Sequence, residues 1–495
     1  MSTPSRTPGR PALLAQLRRR MPLDDLRGET DLGAEERASG GLRRSLGVWQ
    51  LTMISVGATL GTGIFVVLGT AVPLAGPAVW IAFAVAGLAA LLSALSYAEM
   101  AASVPVSGSS YSYAYVTMGE GVAWICGWCL VLEYGVSVAA VAVGASQYVN
   151  EALAVFGMGL PDALANPIGV DGGLVNLPAA LLVLLAMLLL VRGAKESAWV
   201  NTVMVIVKLA VLLVFVVIAF TAFTLQHFEP LAPMGAAGVA AASSRLFFSY
   251  IGFDAASTAG DEATNPRRDL PRAIILSMVI VTTVYILVAI AAIGARPWTG
   301  FTDDEAAFVG ILTAITGQPI IGLFFSIGAV VAIASVVLTV FYGQTRILYR
   351  MAQDGMVPGI FARVAPRTGT PVAGTLIVGV IVAVVAALIP LGELADATSI
   401  GTLFAFALVN LSVIILRRSR PDLERTYSVP LFPVVPALGI LMCLGLMLSL
   451  GGTTSLVFLV WMLAGVALYL AYGRRHSRVG ALSDDGYRRA IAPPR

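Results

Sequence analysis

The stretch ISVGATLGTGIF, residues 54–65, decides the fold because it interrupts a run that is otherwise apolar enough to cross a lipid bilayer. Four residues in it weaken a helix: Gly57, Thr59, Gly61 and Gly63. Hydrocarbon provides no water to replace a lost backbone hydrogen bond, so a weakened helix at membrane depth is costly. The stretch therefore predicts a transmembrane helix that breaks near its middle for a functional reason.

The composition is that of a membrane protein. Of the 495 residues, 58% are hydrophobic and 12% are charged, whereas ordinary soluble domains carry about 25% charged residues. Two histidines and three cysteines give little basis for a metal site or a disulfide framework. No stretch between the apolar runs is polar enough over about 100 residues to fold as a soluble catalytic domain. We therefore expect the activity to take place within or across the bilayer.

Twelve apolar runs have about the 20 residues that span roughly 30 Å of hydrocarbon. They lie near residues 47–71, 78–102, 119–145, 174–192, 198–224, 237–262, 272–294, 319–348, 371–390, 394–416, 430–450 and 454–473. We predict an all-α polytopic membrane protein with 12 transmembrane helices. Its predicted parts are a disordered cytosolic tail at 1–46, a five-helix repeat at 47–224, a second five-helix repeat at 237–416, helices 11 and 12 at 430–473 and a cytosolic tail at 474–495.

The distribution of basic residues orients the chain. Twelve spans place both termini on one side, and 28 of the 31 Lys and Arg residues lie in the tails and the alternate loops of that side. The other three are Lys208 and Arg245 inside spans and Arg296 in an opposite loop. Because cytoplasmic loops carry the excess of Lys and Arg, we predict a multi-pass protein of the cell membrane with both termini in the cytoplasm.

A second interruption falls in the sixth run. The stretch FFSYIGFDAAST, residues 247–258, places Gly252 and the carboxylate of Asp254 in mid-span. Five crossings separate the two interruptions, so the two segments enter the membrane from opposite faces, as an inverted repeat of five plus five helices requires. Glycines that only allow close helix packing are the alternative. That alternative does not explain why both interruptions fall in the equivalent span of each half.

The ends of the two broken helices predict the ligand. The outer half of helix 1 begins with unpaired N–H groups and the positive end of a helix dipole, which suit a carboxylate. The outer half of helix 6 ends with unpaired carbonyls and a negative dipole end, which suit an ammonium. Together they match the zwitterionic head of an α-amino acid, with Phe253 as a candidate gate. The substrate-binding candidates are Gly61, Thr62, Gly63 and Ile64 at the first break and Ser249, Tyr250, Ile251, Gly252 and Phe253 at the second.

Over about residues 43–473 the chain resembles the amino acid, polyamine and organocation superfamily, and within it the cationic amino acid transporter branch with its bacterial members. The stretches that carry the resemblance are GATLGTGIFVVLG (57–69), LSYAEMAASVPVSGSSYSYAYVTMGEG (95–121), WCLVLEYGVS (128–137), FFSYIGFDAASTAGDEATNPRRDLPRAI (247–274) and GQTRILYRMAQDGMVP (343–358). Any one glycine motif would be weak, whereas the set is specific.

The resemblance implies a LeuT-like fold, which is a 5+5 inverted repeat with discontinuous helices 1 and 6 that works by alternating access. It implies contacts from the substrate to the backbone at Thr62, Gly63 and Ile64. The Ile251 carbonyl and Phe253 would form the opposite wall. In related antiporters the residue that matches Asp254 is a glutamate linked to proton or gating function.

Lys208 lies deep in the fifth run among Val, Ile and Leu. A lysine near the bilayer centre costs about 2.5–3.5 kcal/mol on insertion scales, so its surroundings must compensate. The resemblance implies that its ammonium lies where sodium-coupled carriers of this architecture hold a cation, with carbonyls near Gly57 and Ala58 as partners. Proton binding would then replace sodium binding. The alternative is a structural lysine that snorkels or pairs with Glu133, the buried acid of VLEYGV and a candidate pocket residue.

We therefore predict a secondary active amino acid transporter that is proton-coupled and sodium-independent, with Lys208 and Asp254 as the proton-coupling residues. An amino acid exchanger of the same fold is the alternative. A membrane-embedded enzyme is disfavoured because no span offers a nucleophile with a base, and a channel because two broken helices in one chain suit a self-contained path. The expected partners are an amino acid, protons and the lipid bilayer, with no nucleic acid, cofactor or metal, and with a monomer as the assembly. The substrate side chain stays open between cationic and small neutral.

Overall fold

The computed structural model describes residues 16–20, 46–61, 63–104, 109–192, 198–258, 263–301, 306–365, 368, 370–423 and 425–478, without the side chains of 198–200 and 258. Most of the predicted tails at 1–46 and 474–495 lie outside these residues, as does Thr62 among the predicted site residues. In the described part, all regular structure is helical apart from one isolated bridge between Leu46 and Ala263.

Sixteen α-helices of the described residues have numbers. Of the single-turn helices, only α9 is numbered. They are α1 Val48–Thr59, α2 Leu68–Ala75, α3 Val79–Ser103, α4 Ser109–Thr117, α5 Glu120–Val155, α6 Leu177–Val191, α7 Ala198–Thr221, α8 Gly235–Leu246, α9 Ala255–Thr258, α10 Pro266–Ala295, α11 Ala307–Thr316, α12 Pro319–Gln353, α13 Val372–Leu388, α14 Leu391–Ser419, α15 Val434–Ser449 and α16 Gly452–Leu468.

Among the described residues, seven helical segments are long and apolar enough to cross a membrane. The stretch Val48–Ser103, which contains α1, α2 and α3, counts as one of the seven. Four further apolar helices are shorter: α6, α11, α13 and α15. These segments identify a multi-pass membrane protein.

Several helices extend beyond the predicted spans, α5 and α12 among them. The span predicted at 119–145 belongs to α5, which continues to Val155, and the span predicted at 319–348 belongs to α12, which continues to Gln353. Residues 146–155 contain no glycine or proline, so nothing stops α5 before Gly157, whose φ of +68° ends the helix. Apolar run length therefore underestimates helices that continue past the hydrocarbon.

The helices form two packed groups. In one, α3 packs along α10, and both α1 and α8 contact this pair. In the other, α5 packs along α12, and α6 packs along α13 beside them. Helix α14 contacts both α5 and α3, so it joins the two groups.

Both ends of the described chain meet at one face, which we name the terminal face. The Gln16 amide donates to the Arg474 carbonyl at 2.6 Å and accepts from the Arg474 guanidinium at 3.1 Å. At the first residue of α5, the buried Glu120 carboxylate accepts hydrogen bonds from Tyr469 and Ser477. Short segments of both predicted tails are therefore packed against the helices.

Candidate functional site

The first break lies between α1 and α2. Helix α1 ends at Thr59, and Leu60 leaves helical geometry with ψ of 88°. The chain becomes helical again at Gly63 through a π turn, Gly63–Val67, that leads into α2. Among the described residues, the N–H groups of Gly61 and Gly63 have no hydrogen-bond partner, while the Ile64 N–H makes a long bond of 3.3 Å to the Gly61 carbonyl. The break thus presents backbone donors in the middle of an apolar segment.

The second break follows α8. A 3-10 turn, Phe247–Tyr250, continues the helix, and the chain then becomes extended at Ile251. Gly252 has φ of +108°, a conformation that disfavours residues with a side chain. A Cβ at this position would also lie 2.8 Å from the carbonyl carbon of Ala58 in α1. Glycine is therefore required here both by backbone conformation and by contact with the first broken helix.

The two breaks touch each other. A Cβ on Gly63 would lie 2.3 Å from Ser249 Cα, so the backbones meet with no room for a side chain. The buried Tyr285 hydroxyl of α10 lies 2.8 Å from the Thr59 carbonyl and 2.7 Å from the Ser249 carbonyl. One hydroxyl hydrogen serves one of these acceptors at a time. The carbonyl ends of both broken helices therefore converge on Tyr285.

Ser55 of α1 hydrogen-bonds to the backbone that follows the second break. Ser55 Oγ donates to the Phe253 carbonyl at 2.7 Å and accepts from the Ala256 N–H at 3.2 Å. Nothing in the sequence predicted a role for Ser55 or Tyr285. A serine and a tyrosine in apolar spans give no signal of their own, because only the fold places them beside the breaks.

Phe253 lies in an aromatic cluster. Its ring centroid is 5.5 Å from that of Tyr97 in α3 and 4.9 Å from that of Phe406 in α14, and the side chain is fully buried. These contacts place the candidate gate residue where α3 and α14 meet the second break. A change in the position of Phe253 would require both neighbouring rings to adjust.

Lys208 lies against the first broken helix. Its Nζ donates to the Gly57 carbonyl at 2.7 Å, and the residue is 1% exposed. Gly57 is one of the two residues that the sequence analysis gives as partners for this ammonium. The alternative partner, Glu133, is also buried, and neither of its carboxylate oxygens has a hydrogen-bond partner in the described part of the chain.

Asp254 contacts Tyr134, the residue that follows Glu133 on α5. Its Oδ2 accepts from the Ser109 hydroxyl at 3.1 Å and from the Tyr134 hydroxyl at 3.2 Å. Its Oδ1 is buried and has no partner among the described residues. Asp254, at the second break, is therefore a buried acid that hydrogen-bonds to α4 and α5, and its Oδ1 can accept further hydrogen bonds.

Two ion pairs lie away from the breaks. Glu99 of α3 is fully buried and accepts from Arg417 Nε of α14 at 2.7 Å and from the Val429 N–H at 2.7 Å. Arg245 of α8 lies 3.7 Å from Asp396 of α14. The first pair ties α3 to α14 and to the loop after it, and the second ties α8 to the other end of α14.

Comparison with known proteins gives a matching family and relatives that align over most of this chain. Residues 46–468 match the family described as amino acid permease. The chain is 44% identical to the branched-chain amino acid permease of Bacillus subtilis, over 91% of this chain and 97% of that protein. It is 38% identical to the methylthioribose transporter of the same organism, over 94% and 99%. It is 36% identical to cationic amino acid transporter 4 of Homo sapiens, over 82% of this chain and 63% of that protein.

Proposed function

Because the chain belongs to the amino acid permease family, within the amino acid, polyamine and organocation superfamily, we propose that it is a secondary active transporter that carries an amino acid across the membrane. Its relatives bear the names of permeases and transporters and not of enzymes. The observation that carries the proposal is the pair of broken helices whose opposed ends meet at Gly63 and Ser249.

In this proposal the α-carboxylate binds at the first break. Gly61 and Gly63 supply N–H groups that have no partner among the described residues, and the start of the helix that leads to α2 adds a positive dipole end. Thr62 and Ile64 belong to the same turn, so we assign them to the same subsite.

The α-ammonium binds at the second break. Ser249, Tyr250, Ile251 and Gly252 supply carbonyls at the negative end of the α8 helix dipole, and Phe253 closes one side. Tyr285 hydrogen-bonds to the Ser249 carbonyl, which fixes the direction in which that carbonyl points. An ammonium and a carboxylate held a few ångström apart select α-amino acids irrespective of side chain.

The proposed architecture is a LeuT-like inverted repeat with 12 spans and both termini in the cytoplasm. Numbered as spans, the helix pairs in extensive contact include 2 with 7 (α3 and α10), 3 with 8 (α5 and α12) and 4 with 9 (α6 and α13). Each pair joins helices five spans apart, as expected if two halves of five helices interlock. Such halves support alternating access by movement of one helix group against the other.

Coupling to protons is assigned to Lys208 and Asp254. The Lys208 ammonium donates to Gly57 of the helix whose far end forms the carboxylate site, so the protonation state of Lys208 and the position of α1 are linked. Asp254 lies two residues after Gly252, and α4 and α5 hold it. The Lys208 ammonium supplies the positive charge that a bound sodium ion supplies in sodium-coupled carriers of this architecture. We therefore propose that transport is independent of sodium.

For the substrate side chain we propose a neutral, branched apolar group. The first break faces Val336 of α12, whose methyl carbon would lie 3.0 Å from a Cβ on Gly61, and the relative named for branched-chain amino acids aligns over 97% of its length. A buried acid, Glu133, favours cationic substrates instead. A thermal-shift screen of the twenty amino acids on purified protein separates the two.

The function is tested by uptake of labelled amino acid into liposomes under an inward proton gradient. We expect accumulation that needs the gradient, is equal in sodium and choline media and loses its acid stimulation in Lys208→Ala. Lys208→Arg keeps the charge without a titratable proton, so it is expected to bind substrate yet to stay insensitive to pH. Full acid stimulation in Lys208→Ala would remove Lys208 from the mechanism, and absence of amino acid uptake by the wild type would refute the function.

A further inference from the structure

Asn201 is a second polar side chain directed at the residue that holds Lys208. It lies on α7 seven residues before Lys208, which is nearly two helical turns and therefore the same face of the helix. A Cβ on Gly57 would lie 2.9 Å from Asn201 Oδ1, so the amide packs directly against the turn of α1 whose carbonyl accepts the Lys208 ammonium. Asn201 and Lys208 thus approach the same point of α1.

The Asn201 amide has a buried donor without a partner among the described residues. The residue is 8% exposed, and its Nδ2 has no hydrogen-bond partner among the described residues. A buried amide without a partner costs roughly 1–3 kcal/mol, and such groups are commonly satisfied by buried water.

Asn201 lies between Lys208 and the terminal face. Helix α7 begins on that face, because α5 begins there at Glu120 and α6 returns to it. Side chains of a helix lean toward its N-terminus, so the Lys208 side chain extends in the direction of Asn201. Val205 lies between them along the helix, is fully buried and would contact a Cβ on Gly57 at 2.8 Å. The order along this face, toward the terminal face, is Lys208, an apolar side chain and then the polar side chain of Asn201.

Titratable side chains on the described helices around α7 are confined to α10 and α12. The helices that pack against α7 are α1, α10, α11 and α12, and α1 and α11 carry no titratable residue. In α10 the Tyr285 hydroxyl faces the two breaks. The remaining titratable groups on these helices are Arg267, Arg268, Asp269 and Arg272 in the first two turns of α10 and Tyr342, Arg346, Tyr349 and Arg350 in the last third of α12.

We propose that Asn201 is a positioning residue that holds water between Lys208 and the cytoplasm, so that the proton of Lys208 leaves to that side in each transport cycle. In this step an N–H bond of the ammonium breaks, the proton passes to the water held by Asn201 and the electron pair stays on Nζ. The water passes a proton on to the cytoplasm. The inference rests on the proposed function, since it assumes that Lys208 carries the coupled proton.

The test compares two transport modes of Asn201→Leu in liposomes. Net uptake driven by a proton gradient needs Lys208 to release its proton in every cycle, whereas exchange of internal for external amino acid at equal pH does not. We expect net uptake to fall about tenfold with exchange unchanged, and Asn201→Ser, which keeps a polar group, to restore much of the net uptake. Thr202→Val, the adjacent position on another face of α7, is the matched control and is expected to leave both modes unchanged.

The outcomes separate the inference from the function on which it rests. Equal losses of net uptake and exchange in Asn201→Leu would mean a structural role and overturn the inference. Wild-type net uptake in Asn201→Leu would overturn it as well, while leaving coupling through Lys208 intact. A wild-type protein without proton-dependent uptake would overturn both. Where Asn201→Leu does not fold, Asn201→Ala is measured in its place, with exchange as the evidence of folding.

Discussion

Gly63→Ala is the sharpest test of the substrate site. The added Cβ would lie 2.3 Å from Ser249 Cα and 2.5 Å from Ser249 Cβ, whereas carbon atoms in favourable contact are about 3.5–4.0 Å apart. The positions of Cα and Cβ are fixed by the Ser249 backbone, so no side-chain rotation relieves these contacts, and the two breaks must separate by about 1 Å. Carboxylate and ammonium sites would then no longer match one amino acid head group.

The size of the effect follows from that displacement. Overpacking of this kind costs about 1–3 kcal/mol, which corresponds to a 5- to 150-fold loss of affinity at about 1.4 kcal/mol per tenfold change. Gly61→Ala is expected to lose less, because its Cβ would meet two methyl carbons of Val336 at 3.0 and 3.3 Å and a side chain yields more readily. Gly135→Ala is the matched control, since the nearest atom to its Cβ is Gln344 Nε2 at 3.9 Å.

The assay is equilibrium binding to protein purified in detergent, using the labelled amino acid that gives the largest thermal shift with the wild type. Unfolding temperatures without ligand show whether each variant is folded. We expect affinity to fall in the order Gly135→Ala, Gly61→Ala, Gly63→Ala, with the first equal to the wild type. Wild-type affinity in a folded Gly63→Ala protein would refute the placement of the amino acid between the two breaks.

Two further predictions concern residues that hold the site and the helix groups. Tyr285→Phe removes the hydroxyl shared by the Thr59 and Ser249 carbonyls. Because a hydrogen bond contributes roughly 1 kcal/mol, we expect KM to rise about fivefold, and by the same factor for substrates with different side chains. A rise in KM for only one kind of substrate side chain would contradict a role in head-group binding. Glu99→Gln leaves the Arg417 guanidinium without its charge partner, and because breaking a buried pair is costly we expect a lower unfolding temperature with KM unchanged. An unchanged unfolding temperature in Glu99→Gln would show that this pair adds nothing to stability.

The sequence alone determined the class of protein and the location of its unusual helices. Hydrocarbon imposes one strong rule, that backbone groups at membrane depth be satisfied, and glycines in apolar runs violate it visibly. The breaks near Gly61 and Gly252 and the position of Lys208 deep in an apolar run were therefore readable from composition and spacing, whereas a coupling role for Lys208 was only implied by the family resemblance. The ends of α5 and α12 were not, because a helix that leaves the hydrocarbon no longer has to be apolar.

Only the tertiary structure decided which side chains serve the breaks. Tyr285 and Ser55 are ordinary residues of apolar spans, and what distinguishes them is the carbonyl or N–H that packing brings within 2.7–3.2 Å. Asn201 is similar, since its significance comes from the turn of α1 that lies against it. Short-range patterns fix where a helix must stop, whereas contacts between residues far apart in the chain depend on how the helices pack. Periodicity carries no information about that packing.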